Sequence, residues 1–370
     1  MSSERAEARK VGVEEELMLV DEAGQVTAVG RSAVLAQDTE EEPGVEPELF
    51  LQQVETATSP CTRADELAAE ICRGRRVVGE AAAAAGARAV AMPTPVLPDP
   101  EERVTPKSRY QRIHDEYGEL ARQALVCAMH VHVEVDGDDE AVGVVDRVRP
   151  WLPMLVALSA NSPFWRGTDT GHASWRSHLW GRWPTAGPAE PYGDPAGYRA
   201  ATERLMEWGA AIDAGMLYFD IRLAERFPTV EIRVADVCTD PEDAVLVALL
   251  SRALVQTAAD EWHADEPPPA WRTDLLRAAG WRASRHGIAG SLVHPVTGAL
   301  VPVREAFDAL LAHAGPALER AGDADRVRDG FERLLARGNG AVRQRAVHEA
   351  TGDLARVVAD LAERTEQSWA

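Results

Sequence analysis

The sequence predicts a single α+β domain. Three observations carry that reading: segments with the two-residue period of half-buried strands, segments with helical spacing that end in a long helical C-terminal part, and neither an internal repeat nor a clear linker between them. In order, Val11 to Asp21 (VGVEEELMLVD) is a strand with an acidic centre, closed by the turn Glu22-Ala23-Gly24. An acidic, proline-bearing loop follows around Glu40 to Glu48. Leu49 to Ser59 (LFLQQVETATS) then alternates as a second strand, and Ala64 to Ala85 is helical, with Leu67, Ile71 and Val78 on one face. Val90 to Met92 is a short strand stopped by Pro93, Pro95 and Pro98. Ser108 to Leu125 has helical spacing, and Val126 to Val135 (VCAMHVHVEV) is the clearest alternating strand in the chain.

Asp136 to Glu140 is an acidic turn without the glycine and terminal glutamate of a calcium loop. Ala141 to Ser159 is a helix kinked or broken at Pro150 and Pro153. The Trp-rich segment from Asn161 to Pro195 has no helical period and is expected as a long functional loop. Beyond it, Ala196 to Ala214 is a helix, Tyr218 to Leu223 and Thr229 to Asp236 are strands, and Pro241 to Ala259 is a helix. After Trp281 to Gly287 and a turn at Pro295 to Gly298, the chain is helical to its end. Residues 1–10 are expected as a disordered start and 11–370 as one domain.

Composition narrows the function classes. The formal net charge of -21, from 60 acidic against 39 basic residues, repels a phosphate backbone or an anionic bilayer, so nucleic acid and membrane are not expected partners. The four cysteines, Cys61, Cys72, Cys127 and Cys238, form no Cys-x-x-Cys pair. The opening MSSERAEARK has no apolar signal core, and a cytoplasmic location is the expectation. Only Lys10 and Lys107 are lysines, so an anionic ligand would meet guanidinium forks.

Four strands place charged or imidazole groups on a single face. Glu14 and Glu16 lie two apart and share a face, with Glu15 opposite. Exposed, such a pair is screened by solvent; buried, it calls for a divalent cation with a preference for hard oxygen ligands. Glu55 lies at the centre of the next strand. His130, His132 and Glu134 share a face, and a His-x-His strand serves either as a metal-ligand pair or as hydrogen-bonded core. Asp220 with Arg222, and Glu231 with Arg233, repeat the pattern as salt bridges or as part of a polar sheet surface. Arg166, Arg176 and Arg182 in the Trp-rich segment, with Arg282 and Arg285 in WRASRHG, supply cations that suit phosphoryl transfer. Walker, GxGxxG, kinase and GxSxG signatures are absent.

The segments VGVEEELMLVD, QVETATSPC, CAMHVHVEV, ANSPFWRGTDTGHASWRSHLWGRWPTAGP, FDIRLAERFPTVEIRVADVC and WRASRHGIAG, in this order, resemble the carboxylate-amine ligases of the glutamate-cysteine ligase type 2 family. The resemblance implies a glutamine-synthetase-like catalytic fold, a curved antiparallel sheet with magnesium and ATP on its concave face and helices on its convex side. It implies a reaction in which ATP phosphorylates a carboxylate, commonly the side chain of glutamate, and an amine displaces phosphate. Position by position it implies metal-ligand roles for Glu14, Glu16, Glu55 and Glu231. Arg233 is implied at the phosphate or acyl substrate. His130 and His132 are implied near metal or nucleotide, Arg166 and Arg176 at the substrate border, and Arg282 and Arg285 at the phosphates. A homodimer is a further family expectation. Two positions depart from the family pattern: Ala128 stands where glycine is usual, and Glu134 where a small residue is usual. Glu134 either closes the strand end or alters the amine pocket.

The expected function is therefore ATP- and Mg2+-dependent amide formation through an acyl phosphate, from glutamate or another carboxylic acid and an amine. Two alternatives stand beside it: a metal-dependent hydrolase built on the His130-x-His132 strand, and a catalytically idle nucleotide-binding protein.

Overall fold

The computed structural model describes residues 8–36, 44–98 and 102–369. Residues 1–7 of the expected disordered start and 40–43 of the acidic loop therefore lie outside the described residues. Arg9 lies inside them, its guanidinium held by Glu140 at 2.6 Å.

The framework is one antiparallel sheet. Its strands are β1 (Val11–Val20), β2 (Glu46–Pro47), β3 (Gln53–Ala57), β4 (Arg88–Val90) and β5 (Ala128–Glu134). After a two-stranded ribbon, β6 (Phe164–Trp165) with β7 (Thr168–Asp169), come β8 (Ile221–Leu223) and β9 (Thr229–Asp236). The order is β2-β3-β1-β5-β9-β8, with β4 also paired to β1, and every pairing is antiparallel. The α+β class is as the sequence predicts.

The two-residue period divides this sheet into two faces. Val11, Val13, Met129, Val131, Val133, Val230, Ile232 and Val234 belong to one buried apolar cluster, which also takes in Leu67, Ile71, Leu155 and much of the helix Pro241–His263. Helices thus cover that face, and Glu14, Glu16, His130, His132 and Glu231 alternate onto the other. Glu15 is the one acid of the first strand that points to the helices. It is buried, and its carboxylate takes a forked ion pair from Arg75 of the helix Ala64–Ala84, at 2.6 and 2.8 Å. Arg75 also donates to the carbonyls of Cys238 and Thr239. A carboxylate among valines is tolerable only because such a partner satisfies it.

The elements differ from the sequence expectations where local chemistry overrides periodicity. The strand expected over Leu49 to Ser59 is shortened to β3. The helix expected over Ser108 to Leu125 breaks at Gly118, whose φ of 53° suits glycine and ends the helix Ser108–Tyr117. Pro150 and Pro153 break the next helix as expected, through a 3-10 turn at Arg149–Trp151. The Trp-rich segment is not one structureless loop, since it contains the β6–β7 ribbon and the helix Trp175–Trp180. That helix is capped by Ser174, whose hydroxyl accepts from the Ser177 N–H. Ser174 and Ser162 also donate to the buried carboxylate of Asp236, at 2.8 and 2.7 Å, which ties the segment to the end of β9. Among the described residues no helix is long and apolar enough to cross a membrane.

Candidate active site

Sheet register builds the site. Glu14 of β1 stands opposite His130 of β5, Glu16 opposite Glu55 of β3, and Glu231 of β9 opposite both His132 of β5 and Arg222 of β8. Alternation and pairing therefore bring side chains from five strands onto one polar surface.

Two carboxylate groups form on it. In the first, ligand atoms of Glu14, His130 and Glu231 lie within 4.8 Å of one another. His130 Nδ1 is 3.2 Å from Glu14 and 3.8 Å from Glu231, and His132 Nε2 is 3.2 Å from the other Glu14 oxygen. His132 turns its Nδ1 to the Thr229 hydroxyl. Burial alone would raise the Glu14 carboxyl, but the two imidazoles outweigh it and hold the group well below the usual carboxylate range. Burial and the Arg233 guanidinium push His130 down to about 4, so its ring is neutral near pH 7 and keeps a lone pair to offer. Burial would also raise Glu231, yet Arg233 and Arg222 bring it to about 2. Arg222 Nε donates to Glu231 at 2.7 Å, and Arg233 grips the same carboxylate.

The second group joins Glu16, Glu55 and Glu48, again with ligand atoms within 4.8 Å of one another. Burial, with Glu48 adding repulsion, raises Glu16 to about 8, although the Ala128 N–H donates to it at 2.7 Å. Burial and the charges of Glu48 and Glu14 lift Glu55 well above its ordinary range. Three partly or fully buried carboxylates at this spacing carry a mutual repulsion that hard divalent cations relieve, so the donor set fits magnesium.

Beside the carboxylates lies a cavity of about 300 Å3. Five arginines line it: Arg149, Arg176, Arg182, Arg233 and Arg277. Arg233 links the two regions, because its guanidinium lines the cavity and holds Glu231. Arg176 is buried and donates to the carbonyls of Arg233 and Val234 at 3.1 and 3.4 Å. Arg149 Nη2, Arg176 Nε, Arg233 Nε and Trp180 Nε1 are buried with no hydrogen-bond partner among the described residues. Buried donors without acceptors are costly, so this cavity is suited to an anion.

The structure thus brings together Glu14, Glu16, Glu55, Glu231, His130, His132, Arg176 and Arg233. Arg166, Arg282 and Arg285 lie elsewhere. Arg166 pairs with Glu102 and lies over the Trp165 ring. Arg282 donates to the Ser291 carbonyl, and Arg285 lies beside Gly171. From the helix Thr273–His286 it is Leu276, Arg277, Gly280, Trp281 and Ser284 that line the cavity. Glu134 sits at the strand end, where it accepts from the Lys10 N–H at 3.2 Å.

Sequence reasoning missed Glu48, one of several acids in a loop, with only its place just before the apolar Leu49-Phe50-Leu51 to set it apart. It also missed Arg149, Arg277 and the Asp236 anchor, none of which carries a periodic signal.

Residues 10–360 match the model for glutamate-cysteine ligase family 2. A Nocardioides sp. protein named "Putative glutamate--cysteine ligase 2-1" is 49% identical over 98% of this chain and 97% of its own. A Streptomyces coelicolor protein, "Putative glutamate--cysteine ligase 2", is 47% identical over 97% and 99%. Among solved structures, the glutamate-cysteine ligase of Francisella tularensis in complex with AMP has a TM-score of 0.68 at 13% identity, covering 98% of this chain and 93% of that one. A Pup ligase, PafA, in complex with Pup has a TM-score of 0.58 at 12% identity, covering 95% and 72%, and these two likenesses speak to the fold. With its family model matched over nearly its whole length and relatives near half identical, this chain belongs to glutamate-cysteine ligase family 2.

Proposed function

We propose that this protein is an ATP-dependent carboxylate-amine ligase that joins glutamate, or a related carboxylic acid, to an amine through an acyl phosphate. The observation that carries the reading is the juxtaposition of two buried carboxylate groups with an arginine-lined cavity, linked through Arg233. Phosphoryl transfer asks for little covalent chemistry from a protein and much charge compensation, which is what these two regions offer side by side.

Glu16, Glu48 and Glu55 would hold one magnesium, and Glu14, His130 and Glu231 another. Bound there, the ions supply neutralisation of the nucleotide phosphates. The remaining work falls to the chain. Neutral His130 keeps its nitrogen available, while Arg222 and Arg233 orient Glu231. Arg176 and Arg233 turn unpartnered N–H groups toward an anion. Trp180 and Trp281, on the cavity wall, help exclude water from a hydrolysable acyl phosphate. The hydrolase alternative is not favoured: five of the six clustered donor residues in the two groups are carboxylates.

The test is ADP formation with Mg2+ and ATP across acids paired with amines, followed by mass measurement of the product. We expect ADP release that requires both partners and a product heavier by the amide link. ADP release without an amide, or full activity in Glu55→Ala, would sink the proposal.

A further inference from the structure

We propose that Asp220 receives the amine substrate, pairing with its ammonium group inside the arginine-lined cavity and taking the proton that the nitrogen must lose. This rests on the ligase reading above and goes beyond it by giving the amine a place.

Among the described residues, Asp220 is the only acidic one that lines the cavity. Its backbone is fixed on both sides. The N–H donates to the Gly187 carbonyl of the Trp-rich segment at 3.0 Å, and the carbonyl accepts from the Arg233 N–H at 2.9 Å. The side chain is not tied down, since among the described residues it has no hydrogen bond and no ion pair within 4.0 Å. Five guanidinium groups share the cavity with it, and none closes on it. Arg277 and Arg176 act on the carboxylate only at a distance, so its oxygens remain free to accept from an N–H donor.

Charge divides the cavity between ligands. The arginines suit the carboxylate and phosphate, and with those anions offsetting Arg149, Arg176, Arg182, Arg233 and Arg277 an ammonium entering beside them would meet Asp220 as its partner in the lining. The other nearby acids are engaged: Glu231 by Arg222 and Arg233, Glu14 by His130. Burial lifts the Asp220 carboxyl to about 6, with Arg277 and Arg176 pulling the other way. Such a group still ionises at neutral pH and is a better proton acceptor than an ordinary aspartate. The groups facing it are Arg277 from the helix Thr273–His286, Arg176 from the helix Trp175–Trp180 and Arg233 from β9. The body of the amine would lie against Trp180, Tyr218, Phe219 and Trp281.

The step balances. The R–NH3+ group gives one proton to the Asp220 carboxylate and becomes R–NH2. Its lone pair forms a C–N bond with the acyl-phosphate carbonyl carbon, and the C–O bond to phosphorus breaks with its electron pair leaving on phosphate. The second N–H proton goes to the departing phosphate, and Asp220 returns its proton to solvent.

Hydroxylamine, uncharged at neutral pH, needs no ammonium site and traps an acyl phosphate as a hydroxamate. The full-length wild type, Asp220→Asn and Asp220→Glu are compared with ATP, Mg2+ and glutamate, using either hydroxylamine or an amine probe, cysteine and ethylamine in turn. We expect Asp220→Asn to keep hydroxamate formation within about threefold while kcat/KM for the amine falls about 100-fold or more. The deficit should shrink as pH rises and the free amine deprotonates, and Asp220→Glu should recover part of the amide rate. Equal loss of both products, or equal retention, overturns the role of Asp220 and leaves the ligase reading standing. A wild type that makes neither hydroxamate nor amide overturns both.

Discussion

At the scale of single residues, the cost of the site is concentrated in Glu16, Glu48 and Glu55. Glu48 opposes the ionisation of Glu16 and of Glu55, Glu16 opposes that of Glu55, and burial removes the water that would screen them. Glu16, raised from 4.5 to about 8, gives this a sign in pH. The unfolded chain releases that proton near 4.5 and the folded chain only near 8, so between these values the unfolded state gains from ionisation and the fold does not. The metal-free protein should therefore lose stability as pH rises through this window, on the order of 5 kcal/mol. Glu16→Gln should reduce the slope to the part that Glu55 contributes, and Mg2+ should reverse it in the wild type while stabilising the variant less. Thermal unfolding between pH 5 and 8, with EDTA and with Mg2+, reads all three. A wild-type Tm indifferent to Mg2+ at pH 8 would count against a cation at Glu16.

At the scale of elements, the strands were legible because alternation tells which side chains share a face. Glu14, Glu16, His130, His132 and Glu231 needed only the two-residue period and a pairing. Glu48 was not legible, since a loop has no period, and its contact with Glu55 exists only after the chain has returned to the sheet edge. Arg75 was hidden for a related reason: it reads as the polar face of a helix, yet it is fully buried against Glu15. The Trp-rich segment misled most, because its order comes from long-range bonds to Asp236 and from the C-terminal helices. Gly340, first residue of the helix Gly340–Thr351, packs so closely on Asn161 that an added Cβ would lie 1.8 Å from Asn161 Oδ1. Asn161 in turn donates to the Val237 carbonyl at 2.8 Å and accepts from Gln344. Gly340→Ala should cost about 1–3 kcal/mol in denaturant unfolding and lower kcat more than substrate affinity, by displacing the segment that carries Arg176. Wild-type stability in this variant would mean that the contact yields without strain.

At the scale of the whole molecule, the proposed function asks a chain of net charge -21 to admit a polyanionic nucleotide. Long-range attraction works against binding, so affinity has to come from short-range groups: metal-bridged carboxylates and the buried arginines of the cavity. Two opposite dependences follow. Without Mg2+ the carboxylates of β1, β3 and β9 face the phosphates directly, and ATP affinity should fall by about 100-fold or more. Added monovalent salt should then strengthen the residual Mg2+-free binding, because it screens a net repulsion. A basic nucleotide-binding surface would respond to salt in the opposite sense. Calorimetric titration of ATP at low and moderate ionic strength, with and without Mg2+, separates the two cases. Mg2+-free binding that weakens steeply with salt would show that the arginines of the cavity, rather than metal on the acidic face, draw the nucleotide in.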